Sequence, residues 1–304
     1  MKLATTTADF DSFCDSYTEC LERIRAAGFR HVDLNLYTVS DHKSLLVSED
    51  WRGVVGGLLA DAARLGLDFV QAHAPGGNPM KADKVDELVA VTNRTIEICG
   101  ALGIQNVVVH SGWAQGVSKD EYFECNRAFY RRLFPAMETF GVNVLTENTT
   151  RANMGENYAF FTGADMKEFV AYVDHPLFHA CWDTGHGNIE GDQYNELVTL
   201  GKDLRAIHLN DNRGSRDEHL IPFMGTMNMD DVMCGLLDGG FEGYLTFEAT
   251  STLRSYRYWL GNRRKFVREH RLREPTADMQ QALESLMYLV GKHILEAYGC
   301  FEES

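Results

Sequence analysis

Residues 178–186 read Phe-His-Ala-Cys-Trp-Asp-Thr-Gly-His. A short apolar run stops at Asp183, Thr184-Gly185 turn the chain, and His186 follows three positions after the carboxylate. An apolar run closed by Gly and polar residues is the pattern of a buried parallel strand whose C-terminal end opens into a loop. The same event recurs at 69–73, 106–110, 142–147, 204–208 and 244–248, closed by His73, His110, Glu147, His208 and Glu248. In a barrel of parallel strands these ends converge on one face, where barrel enzymes keep their active sites. The pattern predicts a metal site first and an enzyme second.

Outward from these runs, strand and helix patterns alternate about eight times. Further strands are expected over 2–6 and 31–37. Helices are expected over 12–27, 48–65, 82–102, 118–140, 165–174, 194–201 and 230–237. Gly28, Gly66, Gly103 and Gly141 stand where C-caps belong. Ser118-Lys-Asp-Glu has the form of a capping box, and Pro135 should kink that helix or mark its last turn. Alternation of this kind favours an α/β protein, and eight units favour a closed (β/α)8 TIM barrel over about 1–250. An open, doubly wound sheet would want a Gly-x-Gly-x-x-Gly turn after an early strand, and the sequence has none. The whole chain, 1–304, is read as one domain with a C-terminal helical extension over 251–304, in which Pro275 begins a helix to about Tyr298. Within it, 253–273 is rich in Lys, Arg and aromatic residues. That segment is either a solvated cap or subunit contact, or a lid or anion-holding arm.

A formal charge of −15 disfavours a protein whose main partner is nucleic acid, because gripping phosphates needs a basic face. The seven cysteines (14, 20, 99, 125, 181, 234, 300) show no Cys-x-x-Cys spacing, which argues against a disulfide framework or a thiolate zinc site. No signal-like or membrane-length apolar stretch is present. A cytoplasmic protein with no membrane partner is expected, and association with further copies of the chain is left open.

Glu147, Asp183, His208 and Glu248 belong together. Three carboxylates do not sit close together ionised unless a cation neutralises them. Hard oxygen donors with one imidazole suit Mn2+, Mg2+ or Co2+, with Zn2+ as a further candidate. His186 is expected to touch substrate or a second metal. Asp217 and His219 alternate in the loop after the His208 run and can share a side. His73 and His110 end neighbouring runs, as ligands or as partners of sugar hydroxyls. Trp113, Trp182 and Tyr37 form either an apolar wall against a bound ligand or part of the core.

With these residues in view, 1–250 resembles the xylose isomerase-like barrel superfamily of sugar isomerases and epimerases, whose members also include endonuclease IV. The resemblance rests on Thr146-Glu147-Asn148, on Trp182-Asp183-Thr184-Gly185-His186, and on Ile207-His208-Leu209-Asn210-Asp211. Asp217-Glu218-His219-Leu220-Ile221-Pro222 with Gly225, and Phe247-Glu248, complete it. It implies that Glu147, Asp183, His208 and Glu248 bind one divalent metal. It also implies that His186 and an arginine, Arg213 or Arg216, bind substrate. Endonuclease IV adds His73, His110, His186, Asp217 and His219 to hold three zinc ions, and all of these are present here. One departure is visible: the usual Pro-Gly-x-Gly is here Pro222-Phe223-Met224-Gly225.

The chemistry that follows is a divalent-metal-dependent isomerase or epimerase acting on a small sugar, sugar phosphate or polyol. Glu147 and Glu248 would move a proton through an enediolate, one removing it and the other returning it. Metal coordination lowers a carboxylate's basicity, so each glutamate must keep one oxygen free. The competing readings are a dehydratase of keto-cyclitols (inosose-type) on the same site and an apurinic-site endonuclease. Arg213-Gly214-Ser215-Arg216 is the only phosphate-holding candidate at the right end of the barrel.

Overall fold

The apolar runs become eight parallel strands: β1 (Lys2–Thr6), β2 (His31–Asn35), β3 (Asp68–His73), β4 (Asn106–Val108), β5 (Asn143–Glu147), β6 (Phe178–Asp183), β7 (Leu204–Leu209) and β8 (Tyr244–Phe247). Each pairs with its neighbour in sequence, and β1 pairs with β8 through Leu3 and Leu245, which closes the barrel. The computed structural model describes residues 1–37, 45–46, 48–253 and 275–303.

Eleven α-helices are described: α1 (Tyr17–Ala27), α2 (Trp51–Leu65), α3 (Val85–Leu102), α4 (Lys119–Arg131), α5 (Phe134–Phe140), α6 (Arg151–Met154), α7 (Gly163–Val173), α8 (Thr184–Glu190), α9 (Gln193–Leu200), α10 (Met229–Asp238) and α11 (Ala277–Ala297). Their ends follow from local chemistry. Gly28, Gly66, Gly103 and Gly141 close α1, α2, α3 and α5 in the left-handed region, each just before a strand. The capping box forms at α4: Ser118 accepts from the Glu121 backbone, and the Glu121 side chain accepts from the Ser118 backbone. A cap of this kind is worth about 0.5–2 kcal/mol.

Two local expectations are corrected. Residues 118–140 are not one helix bent at Pro135. The chain breaks after Arg131, and Pro135 sits in the first turn of a separate short helix, α5, where its missing N–H costs nothing. Thr184-Gly185 is not a loop either, because α8 begins directly after Asp183.

Side chains alternate across each strand, and this alternation builds the site. Val108, Leu145, Cys181 and Ala206 form a small apolar cluster of their own, separate from the main core. Two residues further along the same strands stand His110, Glu147, Asp183 and His208. One apolar layer thus carries a layer of metal-capable side chains above it. The opposite strand faces pack against the helices in a core that runs from Met1 to Leu295. The C-terminal helix α11 joins that core through Met287, Ile294 and Leu295, and Gly291 lets it approach Leu3 and Phe247 closely. Of the basic stretch 253–273 only Leu253 lies among the described residues. No helix among the described residues is long and apolar enough to cross a membrane.

Candidate metal and substrate site

The strand ends open into a cavity of about 440 Å3, lined among others by Tyr37, His73, His110, Glu147, His186, Asp217, His219 and Glu248. Beneath it lie Asp183 and His208, both buried. One ligand atom from each of Glu147, Asp183, His208 and Glu248 lies within 4.8 Å of the others. His208 Nδ1 faces Glu147 Oε1 at 2.6 Å and Glu248 Oε2 at 3.4 Å.

Asp183 has a double task. As N-cap of α8 its Oδ1 accepts from the His186 backbone N–H at 2.7 Å, while Oδ2 accepts from Asn210 Nδ2 at 2.7 Å. Asn148 holds its backbone from both sides, accepting from the Asp183 N–H at 2.6 Å and donating to its carbonyl at 3.0 Å. Neither asparagine was assigned a role from sequence, although both stand in the quoted motifs. Gly185 is required by this packing, since a Cβ there would overlap Asn210 Oδ1. Gly185→Ala is therefore expected to cost about 1–3 kcal/mol in urea denaturation. It should also weaken divalent-cation binding, because displaced Asn210 no longer fixes the Asp183 carboxylate.

A second group lies beside the first. Asp217 bridges His186 Nε2 at 3.0 Å and His219 Nε2 at 3.1 Å, and Asp183, His186 and His219 also offer atoms within 4.8 Å of one another. A third group comprises His73, Glu147 and His208. His110 Nε2 lies 2.6 Å from Glu147 Oε2, so the two oxygens of Glu147 face different partners.

The electrostatics describe carboxylates leaning on imidazoles. Burial alone would raise the Glu147 carboxyl, but His208 and His110 outweigh it and hold the group well below the usual carboxylate range. Glu248 moves the other way: burial, aided by Glu147 and Asp183, raises its pKa against the pull of His208 and His219. Burial also opposes charge on His186, yet Asp183 and Asp217 lift it to about 10. His73 is pushed down to about 3 by burial and by His110, which leaves a neutral ring. A donor set that must recruit protons to hold its carboxylates together is one that a divalent cation fits, displacing those protons on binding.

The other expected residues fall in three places. Tyr37 lines the cavity, its ring edge-on to His73 with centroids 5.1 Å apart. Trp113 lines a small side pocket that shares His110, Glu147 and His186 with the main cavity. Trp182 is no substrate wall: it is buried, and its Nε1 donates to Gln193 Oε1 at 3.1 Å. Arg213 and Arg216 stand apart from the cavity lining. Arg213 is exposed and pairs with Glu218 at 2.5 Å, Arg216 is exposed, and neither lines the cavity. Among the described lining residues there is no Lys or Arg.

The Pro222–Gly225 turn survives its departure from the family pattern. Phe223 takes a positive φ of 74° and stands 64% exposed, so it adopts the left-handed conformation that glycine would adopt without strain. Asp211 ties the turn down, accepting from the Gly225 and Met227 backbone N–H groups at 2.9 and 3.0 Å.

Residues 21–286 match the family described as xylose isomerase-like TIM barrel. Fructoselysine 3-epimerase of Escherichia coli O157:H7 is 43% identical over 112 residues, which are 36% of this chain and 40% of that enzyme. A probable endonuclease 4 of Geobacter sp. (strain M21) is 26% identical over 174 residues, 50% of this chain and 58% of that protein. Each match spans less than two thirds of the relative. Among solved structures, D-psicose 3-epimerase from Clostridium cellulolyticum H10 superposes with a TM-score of 0.75 at 18% identity, covering 97% of this chain and 99% of that one. That last likeness is one of fold.

Proposed function

Because the chain belongs to the family of xylose isomerase-like TIM barrels, we propose that it is a divalent-metal-dependent isomerase or epimerase acting on a sugar or polyol. The observation that carries this reading is the meeting of Glu147 and Glu248, from the ends of β5 and β8, at one cation-capable cluster. The fructoselysine 3-epimerase relative supports the substrate class.

A divalent cation held by Glu147, Asp183, His208 and Glu248 would polarise a carbonyl and neighbouring hydroxyl, making the adjacent C–H acidic enough for a carboxylate. The chain's own residues do the rest. One glutamate takes the carbon-bound proton and the other delivers one, on the opposite face for epimerisation or to the neighbouring carbon for isomerisation. Glu147 Oε1 lies on the side of His208, where the cation would sit, and Oε2, facing His110, would be the oxygen left off the cation for proton transfer. His186 and His219, held by Asp217, are placed to meet substrate hydroxyls.

A specific observation also favours the nuclease alternative. The second and third groups are built from residues that the resemblance to endonuclease IV implies as zinc ligands, and probable endonucleases 4 are among the relatives. The absence of Lys and Arg from the described lining weighs against it, because DNA binding draws on phosphate contacts. The deciding experiment loads the protein with Mn2+ in D2O, offers a panel of ketoses and inososes, and separately offers abasic DNA. Deuterium at a substrate carbon with intact DNA is expected. Enzyme-like cleavage of abasic DNA without exchange into any sugar would overturn the proposal.

A further inference from the structure

One layer below the ligands, β3 carries Gln71, which is 4% exposed. Its Nε2 lies 2.9 Å from His208 Nε2, on the side of the ring away from the carboxylates. Its Oε1 accepts from Thr246 Oγ1 at 3.5 Å. Asp33, also buried, stands on the neighbouring strand β2 in register with Gln71.

We propose that Gln71 is a positioning residue for the cation: by pairing with His208 Nε2 it holds the ring so that Nδ1 faces the carboxylates and is the nitrogen that ligates. Nδ1 is the atom turned toward Glu147 and Glu248, so it is the nitrogen that joins the cluster. A cation there needs the lone pair of Nδ1, which places the ring proton on Nε2. An N–H buried inside the barrel needs an acceptor, and ligating histidines are commonly oriented through their second nitrogen. A half-turn of the Gln71 amide supplies one. Oε1 then faces Nε2–H, and the amide N–H groups face Thr246 Oγ1, a hydroxyl that accepts as readily as it donates. With the amide nitrogen toward His208, as in this structure, Nε2 is the acceptor and the proton sits on Nδ1, donated to Glu147. The same side chain thus serves both tautomers.

This inference rests on the metal reading above and adds a residue to it. The test is Mn2+ titration of the full-length chain, by calorimetry, in wild type, Gln71→Met and Gln71→Glu. Methionine keeps the length and apolar fit but offers no acceptor of comparable strength. Glutamate keeps an oxygen acceptor toward His208 Nε2. We expect Gln71→Met to weaken Mn2+ binding about 10–100-fold, with metal-free thermal unfolding close to wild type. Gln71→Glu should stay within about threefold of wild type, on the same reasoning about the acceptor. Equal affinity in wild type and Gln71→Met would overturn the inference alone. So would an equal loss in both variants, which would mark a packing role. Should Gln71→Met fail to fold, Gln71→Leu, which also lacks an acceptor, takes its place with the same outcomes. A wild-type chain with no affinity for Mn2+ would overturn the metal reading and this inference together.

Discussion

Replacing Glu248 or Glu147 by glutamine is expected to lower conversion of the accepted sugar by about 10²–10⁴-fold, the usual worth of a general acid–base group. Glutamine keeps the shape of the side chain and one carbonyl oxygen, so part of the cation affinity should survive while proton acceptance is lost. The two variants should also differ from each other. In a two-base epimerase the residue that removes the proton from one epimer returns it to the other. A variant lacking only the returning group can still wash solvent deuterium into the starting epimer without inverting it. Glu147→Gln and Glu248→Gln should therefore each retain exchange from one epimer and lose it from the other, with the pattern reversed between them. If both variants convert substrate at wild-type rates, the glutamates are ligands only and the proposed chemistry fails. The environments fit this division of labour. Glu147 is held ionised between two imidazoles, whereas burial beside other carboxylates raises Glu248.

Much of this was legible because two signals coincided. A run of apolar residues marks a parallel strand, and a metal-capable residue at its end marks the catalytic face. His73, Glu147, Asp183, His208 and Glu248 were all picked out that way; His73, Glu147 and Glu248 line the cavity, and Asp183 and His208 lie buried beneath it. Failures arose where one residue answers to two demands. Asp183 is both strand terminus and helix N-cap, so Thr184-Gly185 looks like a turn although α8 begins there. Its glycine is demanded by the closeness of Asn210, a contact between residues 25 positions apart that no local pattern reveals. Arg213 and Arg216 were placed by position after the β7 strand, but side-chain direction is set by the loop, and both point to solvent. Gln71 escaped because an uncharged amide does not announce itself. The available signal was its two-residue spacing from His73, which puts it on the same inner face one layer down.

The second large effect separates the one-cation enzyme from a three-zinc hydrolase. Asp183→Asn is the informative change, because asparagine is as good an N-cap as aspartate and should leave α8 in place. What it removes is the charge at the bottom of the ligand cluster. In the sugar enzyme, Asp183→Asn should weaken Mn2+ binding by at least about 100-fold and abolish exchange, since proton abstraction depends on the polarised carbonyl. His73→Asn and His219→Asn lie outside the four-residue cluster and should keep the cation, with turnover reduced by about tenfold through lost substrate contacts, within the range of an ordinary hydrogen bond. A hydrolase that activates hydroxide between several zinc ions would behave differently. There the three variants should fall together, metal content should drop in each, and the readout would be cleavage of abasic DNA. The test is metal content per chain, measured beside both activities in the same three variants. Equal loss of bound metal in all three, with abasic-site cleavage in the wild type, would move the assignment to the nuclease. Retention of one cation in the two histidine variants, with exchange still measurable, would hold it at the sugar enzyme, because only there does the Asp183 cluster suffice.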